Sequence, residues 1–266
     1  MSPQMIINHI ILLGEFNTMT LNPVIWSLIH EMRVSLIFPF LMWVLHRGNF
    51  KKNLSFILGI PIIFFITYYI CLKIFSYDIT VFSGGYSSFI LTPHYVAFFM
   101  LGGLLAKYQK KISEIYKKIN VTYKISLVVL ALIMYMYNWL VLPNNSTLHL
   151  FIFNDWAIAT GCVIFITLGL NSKLVKVFLL LKLVNYVGKI SYSLYLYHIP
   201  VILGSLYFLH GLMPVRLILF VSFAFSFIVS AIMYHMVELP SVNLGKRFTR
   251  SKQQNQMNHD SKTAIS

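Results

Sequence analysis

An imidazole, a carboxylate and a guanidinium fall close together in His30-Glu31-Met32-Arg33, inside a run that is otherwise apolar. A histidine or a carboxylate can move a proton. An arginine can offset negative charge on a donor or acceptor. On a helix, Trp26, His30 and Arg33 share one face, and Ser27, Glu31 and Ser35 share the neighbouring face. Glu31 and Arg33 are two apart, so each needs a partner from another helix or from water. Polar groups of this kind inside lipid face protein or a cavity. The pattern serves a cavity wall and a structural hydrogen-bond network between helices equally well. His30, Glu31 and Arg33 are therefore catalytic candidates as lining residues, with Trp26 and Ser27 as candidates for substrate contact.

A second polar group lies in Gly188-Lys189-Ile190-Ser191-Tyr192-Ser193-Leu194-Tyr195-Leu196-Tyr197-His198-Ile199-Pro200. Ser191, Tyr195 and His198 share a helical face, and with Tyr192 they are candidates for positioning substrate. His198 could act as a base, but a lone histidine here more often holds helices together. The third group is Glu238-Leu239-Pro240, read as structural. Pro240 should turn Leu239 away from the helix and stop the span there, leaving Glu238 near the headgroups or paired with a cation. His94, in Thr92-Pro93-His94-Tyr95, opens another apolar run, and Gly102-Gly103 after it permits close helix packing. No zinc motif, phosphate-binding loop or nucleophile elbow is present. Asn145-Ser146-Thr147 has only the chance-level spacing of a glycosylation triplet.

The elements that must carry these groups are apolar throughout. The chain has 266 residues, 58% hydrophobic and 11% charged. A water-soluble domain carries about 25% charged residues, so the solvent of this surface is lipid. Runs of about 20 apolar residues are long enough to cross the hydrocarbon core. Seven are predicted: Val24–Leu45, Leu54–Phe75, Ser87–Ala106, Thr122–Leu142, Phe151–Leu170, Ser191–Leu209 and Val215–Val237. Pro39 should bend the first, by freeing the Ser35 carbonyl. The fold class is therefore all-α, a polytopic membrane helix bundle.

The net charge of +14 could suggest a nucleic-acid partner, but its distribution excludes that reading. Of 21 basic residues, 18 fall in four regions: 46–53, 107–124, 171–189 and the C-terminal tail. These alternate with the remaining connections, where Glu15, Asp78 and Asp155 lie. That is the pattern of cytoplasmic loops. It places the N-terminus outside and the C-terminus inside a membrane, and the preference for Lys over Arg and the many Ile and Asn suggest a bacterial cytoplasmic membrane. Leu174–Lys189, apolar but carrying Lys176 and Lys182, is expected as an amphipathic helix lying on the inner surface or as an extension of the fifth helix. Cys71 and Cys162 sit in apolar runs and read as small buried groups rather than a disulfide or metal site. The segment Met5 to Leu13 lacks the basic start and cleavage site of a signal peptide. Three regions follow: 1–22 outside, 23–249 in the membrane, and 250–266 as a disordered cytoplasmic tail.

Four motifs in this order resemble the membrane-bound acyltransferase-3 family. Trp26-Ser27-Leu28-Ile29-His30-Glu31, with Pro39 following, resembles its W-S-L-x-x-E segment. Phe98-Phe99-Met100-Leu101-Gly102-Gly103-Leu104-Leu105-Ala106 is similar to its F-x-x-G-x-L-A helix. Residues 188–200 resemble G-x-x-S-Y-x-x-Y-L-x-H-x-P, and Glu238-Leu239-Pro240 matches the E-x-P of its last helix. The resemblance implies an enzyme that moves an acyl group, commonly acetyl, from acetyl-CoA or another acyl-CoA on the cytoplasmic side. It implies no bound cofactor. The acceptor would be a hydroxyl of a cell-surface or lipid-linked carbohydrate, giving O-acetylation of an envelope polysaccharide.

The family fold has about ten spanning helices, and its catalytic His follows a basic residue near the start. Residues 1–22 offer His9 and no Lys or Arg. The expectation is a chain corresponding to the later two-thirds of such an enzyme, weak or inactive alone. Two other readings stay open. Helices interrupted at Pro39, Pro61 and Pro200 would suit a transporter or flippase for a lipid-linked glycan or small solute, and a non-catalytic fragment would carry the same topology.

Overall fold

The computed structural model describes residues 3–75, 87–141 and 149–247. Asp78, the triplet at 145–147 and the tail at 250–266 lie outside the described residues. Among the described residues the chain is helical, and it divides after Leu181 into two units.

In the first unit α1 spans Pro3–Ile11, α2 Trp26–Arg47, α3 Phe50–Phe75, α4 Thr92–Lys107, α5 Gln109–Lys118, α6 Val121–Tyr135, α7 Tyr137–Leu140, α8 Asp155–Asn171 and α9 Lys173–Leu179. Helices α2, α4 and α8 run in the same direction. Their starting ends meet through His30, Thr92, His94 and Asp155. At the opposite end the Lys107 ammonium donates to the carbonyls of Leu45, His46 and Gly48, at 2.6, 3.1 and 2.6 Å. Those carbonyls close α2 and have no partner within the helix. The buried Asn53 amide adds donors to Leu45 and Gly48. A cation at a helix C-terminus also meets the negative end of its dipole. The core of this unit is a strip of Val34, Leu41, Leu45, Ile57, Ala97 and Met100 between α2, α3 and α4.

Helices α6 and α8 pack through small residues. Ala131 is fully buried. A side chain added at Gly161 would meet the Ala131 carbonyl and the Tyr135 amide at 3.0 Å each. Small residues at such a crossing let two backbones approach where lipid gives no hydrophobic drive.

The second unit is a pair. α10 spans Lys182–Leu209 and α11 spans Val215–Met233. Ile218, Ser222, Ser226 and Ser230, spaced by four, form the buried stripe of α11. Ser222 and Ser226 donate back to the carbonyls four residues earlier, which satisfies hydroxyls in an apolar setting.

Among the described residues, six helical segments are long and apolar enough to cross a membrane, including Pro23–Arg47, Phe89–Lys107 and Ile152–Asn171. Large apolar side chains such as Leu36, Phe40, Ile62 and Phe220 are more than half exposed on their outer faces. Water does not tolerate apolar surface on this scale, and lipid does. The molecule is a multi-pass membrane protein.

Three expectations need correction. The run read over Thr122–Leu142 is broken at Met136 into α6 and the short α7, so α6 alone is 15 residues. The segment 174–189 is not one surface helix. It turns at Leu180–Leu181, and Lys182–Lys189 forms the first two turns of α10. Pro240 does not stop the last span, which runs as one helix over Val215–Arg247. A π-turn at Tyr234–Glu238 precedes it, and the Leu239 amide donates to the Tyr234 carbonyl. The extra residue in that turn displaces the carbonyl on which a proline ring normally clashes.

Candidate functional site

The starting ends of α2, α4 and α8 hold the densest polar layer of the first unit. Arg33 is buried and uses three nitrogens. Its Nε donates to the Leu13 carbonyl at 3.0 Å, Nη2 to Gly14 at 2.7 Å and Nη1 to Thr92 Oγ1 at 3.0 Å. Its guanidinium lies 3.9 Å from the centre of the Phe89 ring. His30 Nδ1 meets the same Thr92 oxygen at 3.1 Å. With Arg33 donating to that oxygen, the hydroxyl proton of Thr92 is available to His30 Nδ1.

The arginine thus fastens the segment before α2 across the layer. Around it, Ser87 Oγ donates to the Phe16 carbonyl at 2.7 Å and accepts from the Phe16 amide. Glu15 accepts from the Phe89 amide at 3.1 Å. The fork geometry of the guanidinium is what allows one side chain to join three elements.

The second feature is a histidine–carboxylate pair. His94, fully buried in the first turn of α4, has Nε2 3.1 Å from Oδ2 of Asp155 at the start of α8. Asp155 is reached through a π-turn over His149–Asn154. Phe64, Tyr95 and Phe98 surround the His94 ring, with centroids 5.0 to 5.3 Å away. Asp155 is 23% exposed and lines a cavity of about 330 Å³ with Trp26, Tyr95, Phe98 and Ile158. The Tyr95 ring lies tilted against both His30 and Trp26, with centroids 4.5 and 5.7 Å away. Trp26, His30, Arg33, Thr92, His94 and Asp155 therefore belong to one layer.

Glu31 does not join it. It is exposed, on another face of α2 from His30 and Arg33. Ser27 donates to the Val24 carbonyl at 3.5 Å and closes the turn before α2.

In the second unit, Ser193 donates to Glu238 Oε2 at 2.5 Å. The two sequence motifs of this unit are joined by that bond, and the π-turn carries Glu238 to it. His198 Nδ1 contacts the carbonyls of Leu194 and Tyr195 at 3.1 and 2.7 Å. Carbonyls only accept, so Nδ1 bears the proton and is bonded within its own helix. Tyr195 and His198 line a separate cavity of about 360 Å³ with Ser191, whose hydroxyl donates to the Gly188 carbonyl. Tyr192 and Pro240 are exposed.

Sequence reasoning did not pair His94 with Asp155, nor give roles to Thr92, Lys107 or Ser193. The first pair had a signal: both residues open apolar runs at the same predicted depth. Thr92 and Ser193 had none beyond sitting beside residues already singled out.

No curated protein and no solved structure matches the chain. The acyltransferase-3 family, described as an acyltransferase domain, matches residues 3–235. That span takes in the polar layer, Ser193 and both α10 and α11, ending three residues before Glu238, and it makes this membrane protein a member of the acyltransferase-3 family.

Proposed function

We propose that the chain moves an acyl group, acetyl in the first instance, from a cytoplasmic acyl-CoA to a hydroxyl of a cell-surface or lipid-linked carbohydrate. The reading is carried by one observation, the pairing of buried His94 with Asp155, which opens on a cavity beside Trp26 and Tyr95. Acyl transfer to a hydroxyl forms a carbon–oxygen bond and breaks the carbon–sulfur bond of the thioester. The hydroxyl proton must leave as this happens, and the departing thiolate takes one up. A carboxylate within reach of the hydroxyl serves as base. In this reading Asp155 is that base, and His94 is a positioning residue that orients it through Nε2. Arg33 and Thr92 hold the wall that carries His30. Trp26 and Tyr95 offer aromatic surface to the acceptor, and Glu31, exposed on another face of α2, stays outside this cavity. In the second unit Ser191, Tyr192, Tyr195 and His198 remain candidates for substrate positioning, and Glu238 and Pro240 for bracing.

The test is release of free CoA thiol by the full chain in vesicles given acetyl-CoA and membrane carbohydrate. The expected result is release that depends on the acceptor and falls by about 10²–10⁴-fold in Asp155→Asn, the range of a lost general base. Acceptor-dependent release that is undiminished in Asp155→Asn removes the assignment. Solute movement without covalent change would favour transport instead.

A further inference from the structure

The cavity beside Asp155 does not end there. Leu101, Leu105 and Val163 line it and also line a larger cavity of about 610 Å³ toward the opposite end of α4. The two form one groove along α4. From Tyr95 to Tyr108 it runs about 20 Å, at 1.5 Å per helical residue. Its character changes along the way. The larger section is walled by Leu54, Leu104, Ile112 and Ile115, and its mouth carries Lys51 and Lys111.

The mouth has the features of a headgroup layer. Phe50 and Tyr108 stand edge to face, 5.3 Å apart, and aromatic rings collect at that depth. Helix α5 carries four lysines against one glutamate, while Ile112 and Ile115 face the groove. That is the division of a helix lying in the interface. Lys107 is occupied by the end of α2, whereas Lys51 and Lys111 are exposed.

We infer that this groove binds an anionic phospholipid, with its phosphate between Lys51 and Lys111 and one acyl tail along α4 past Leu105. One leaflet of hydrocarbon is about 15 Å deep, half of a core of about 30 Å, or about ten residues of helix, so a tail entering beside Tyr108 ends near Phe98, one turn short of His94 and its partner Asp155. The wall decides between this ligand and the other anionic amphiphile in reach, an acyl-CoA. The arm of CoA carries two amides. Burying an amide without a partner is unfavourable, and the side chains of Leu54, Leu101, Leu104, Leu105, Ile112 and Val163 offer none. A hydrocarbon tail asks for none. The inference does not depend on the reaction proposed above.

Native mass spectrometry of the detergent-solubilised full chain tests it, titrated with phosphatidylglycerol and with phosphatidylcholine of the same tails. We expect one phosphatidylglycerol retained in preference. Two lysines near a phosphate correspond to a loss of roughly 30-fold on Lys51→Gln/Lys111→Gln. Leu105→Trp, which fills the groove, should weaken both lipids. The lysine variant alters only exposed side chains, so it reports even where Leu105→Trp fails to fold. Equal retention of the two lipids, or unchanged phosphatidylglycerol binding in the lysine variant, would overturn the inference. Displacement of the lipid by palmitoyl-CoA at equal concentration would also overturn it and give the groove to the donor.

Discussion

Asp155 touches a cavity while its orientation is set by a buried ring. Replacing its carboxylate by an amide keeps an oxygen for His94 and removes the proposed base, so Asp155→Asn separates chemistry from folding. Arg33 makes the converse case. It spends its donors on Leu13, Gly14 and Thr92, and charged hydrogen bonds contribute about 1.5–3 kcal/mol each. Arg33→Lys cannot reproduce the fork. It should therefore lower the melting temperature nearly as far as Arg33→Met and open the 12–16 segment to protease. Full stability of Arg33→Lys would mean that the fork is dispensable. His30, Arg33 and Trp26 were legible as one face because helical spacing is local. The Arg33 partners were not, since Leu13 and Gly14 contribute backbone carbonyls that leave no mark in a sequence.

At the level of elements, apolar length located the long helices α2, α3, α4, α8, α10 and α11 but not the short α1, α5, α7 and α9, and close packing explains what length could not. Gly161 lies against backbone atoms of α6 rather than against a yielding side chain. Gly161→Ala should cost about 1–3 kcal/mol by pushing the two helices apart, read as a lowered unfolding temperature. Gly103→Ala should cost less, because it meets only the ends of Leu45 and Met42. Similar losses at both positions would contradict this. Pro240 shows why local rules failed in α11. Proline after a regular turn ends a helix, but the π-turn at Tyr234–Glu238 absorbs it and brings Glu238 to Ser193. A π-turn depends on packing across α10, and nothing in residues 234–240 announces it. Ser193→Ala should leave the Glu238 carboxylate short of a donor and lower stability by about 1–3 kcal/mol, while Glu238→Gln, which keeps a partner, should lower it less.

For the molecule as a whole, charge is the legible property. The basic regions alternate along the chain, and Arg47, Lys51, Lys107 and Lys111 gather at one end of the first unit, opposite Glu15 and Asp155. The positive-inside rule predicts that this end faces the cytoplasm. Single cysteines placed at Lys111 and at Glu15, with Cys71 and Cys162 replaced, should label from opposite sides of intact cells. Labelling of both from one side would reverse the assignment. The acyl donor and acceptor would accordingly meet the molecule from different faces.

The most direct measurement is transfer of labelled acetyl from acetyl-CoA to membrane carbohydrate, by vesicles holding equal amounts of the wild-type chain or Asp155→Asn. Label that reaches the carbohydrate with the wild type, and falls by about 10²–10⁴-fold with the variant, is the predicted result. Carbohydrate that stays unlabelled with correctly folded wild-type chain, or is labelled equally by both, would contradict the account.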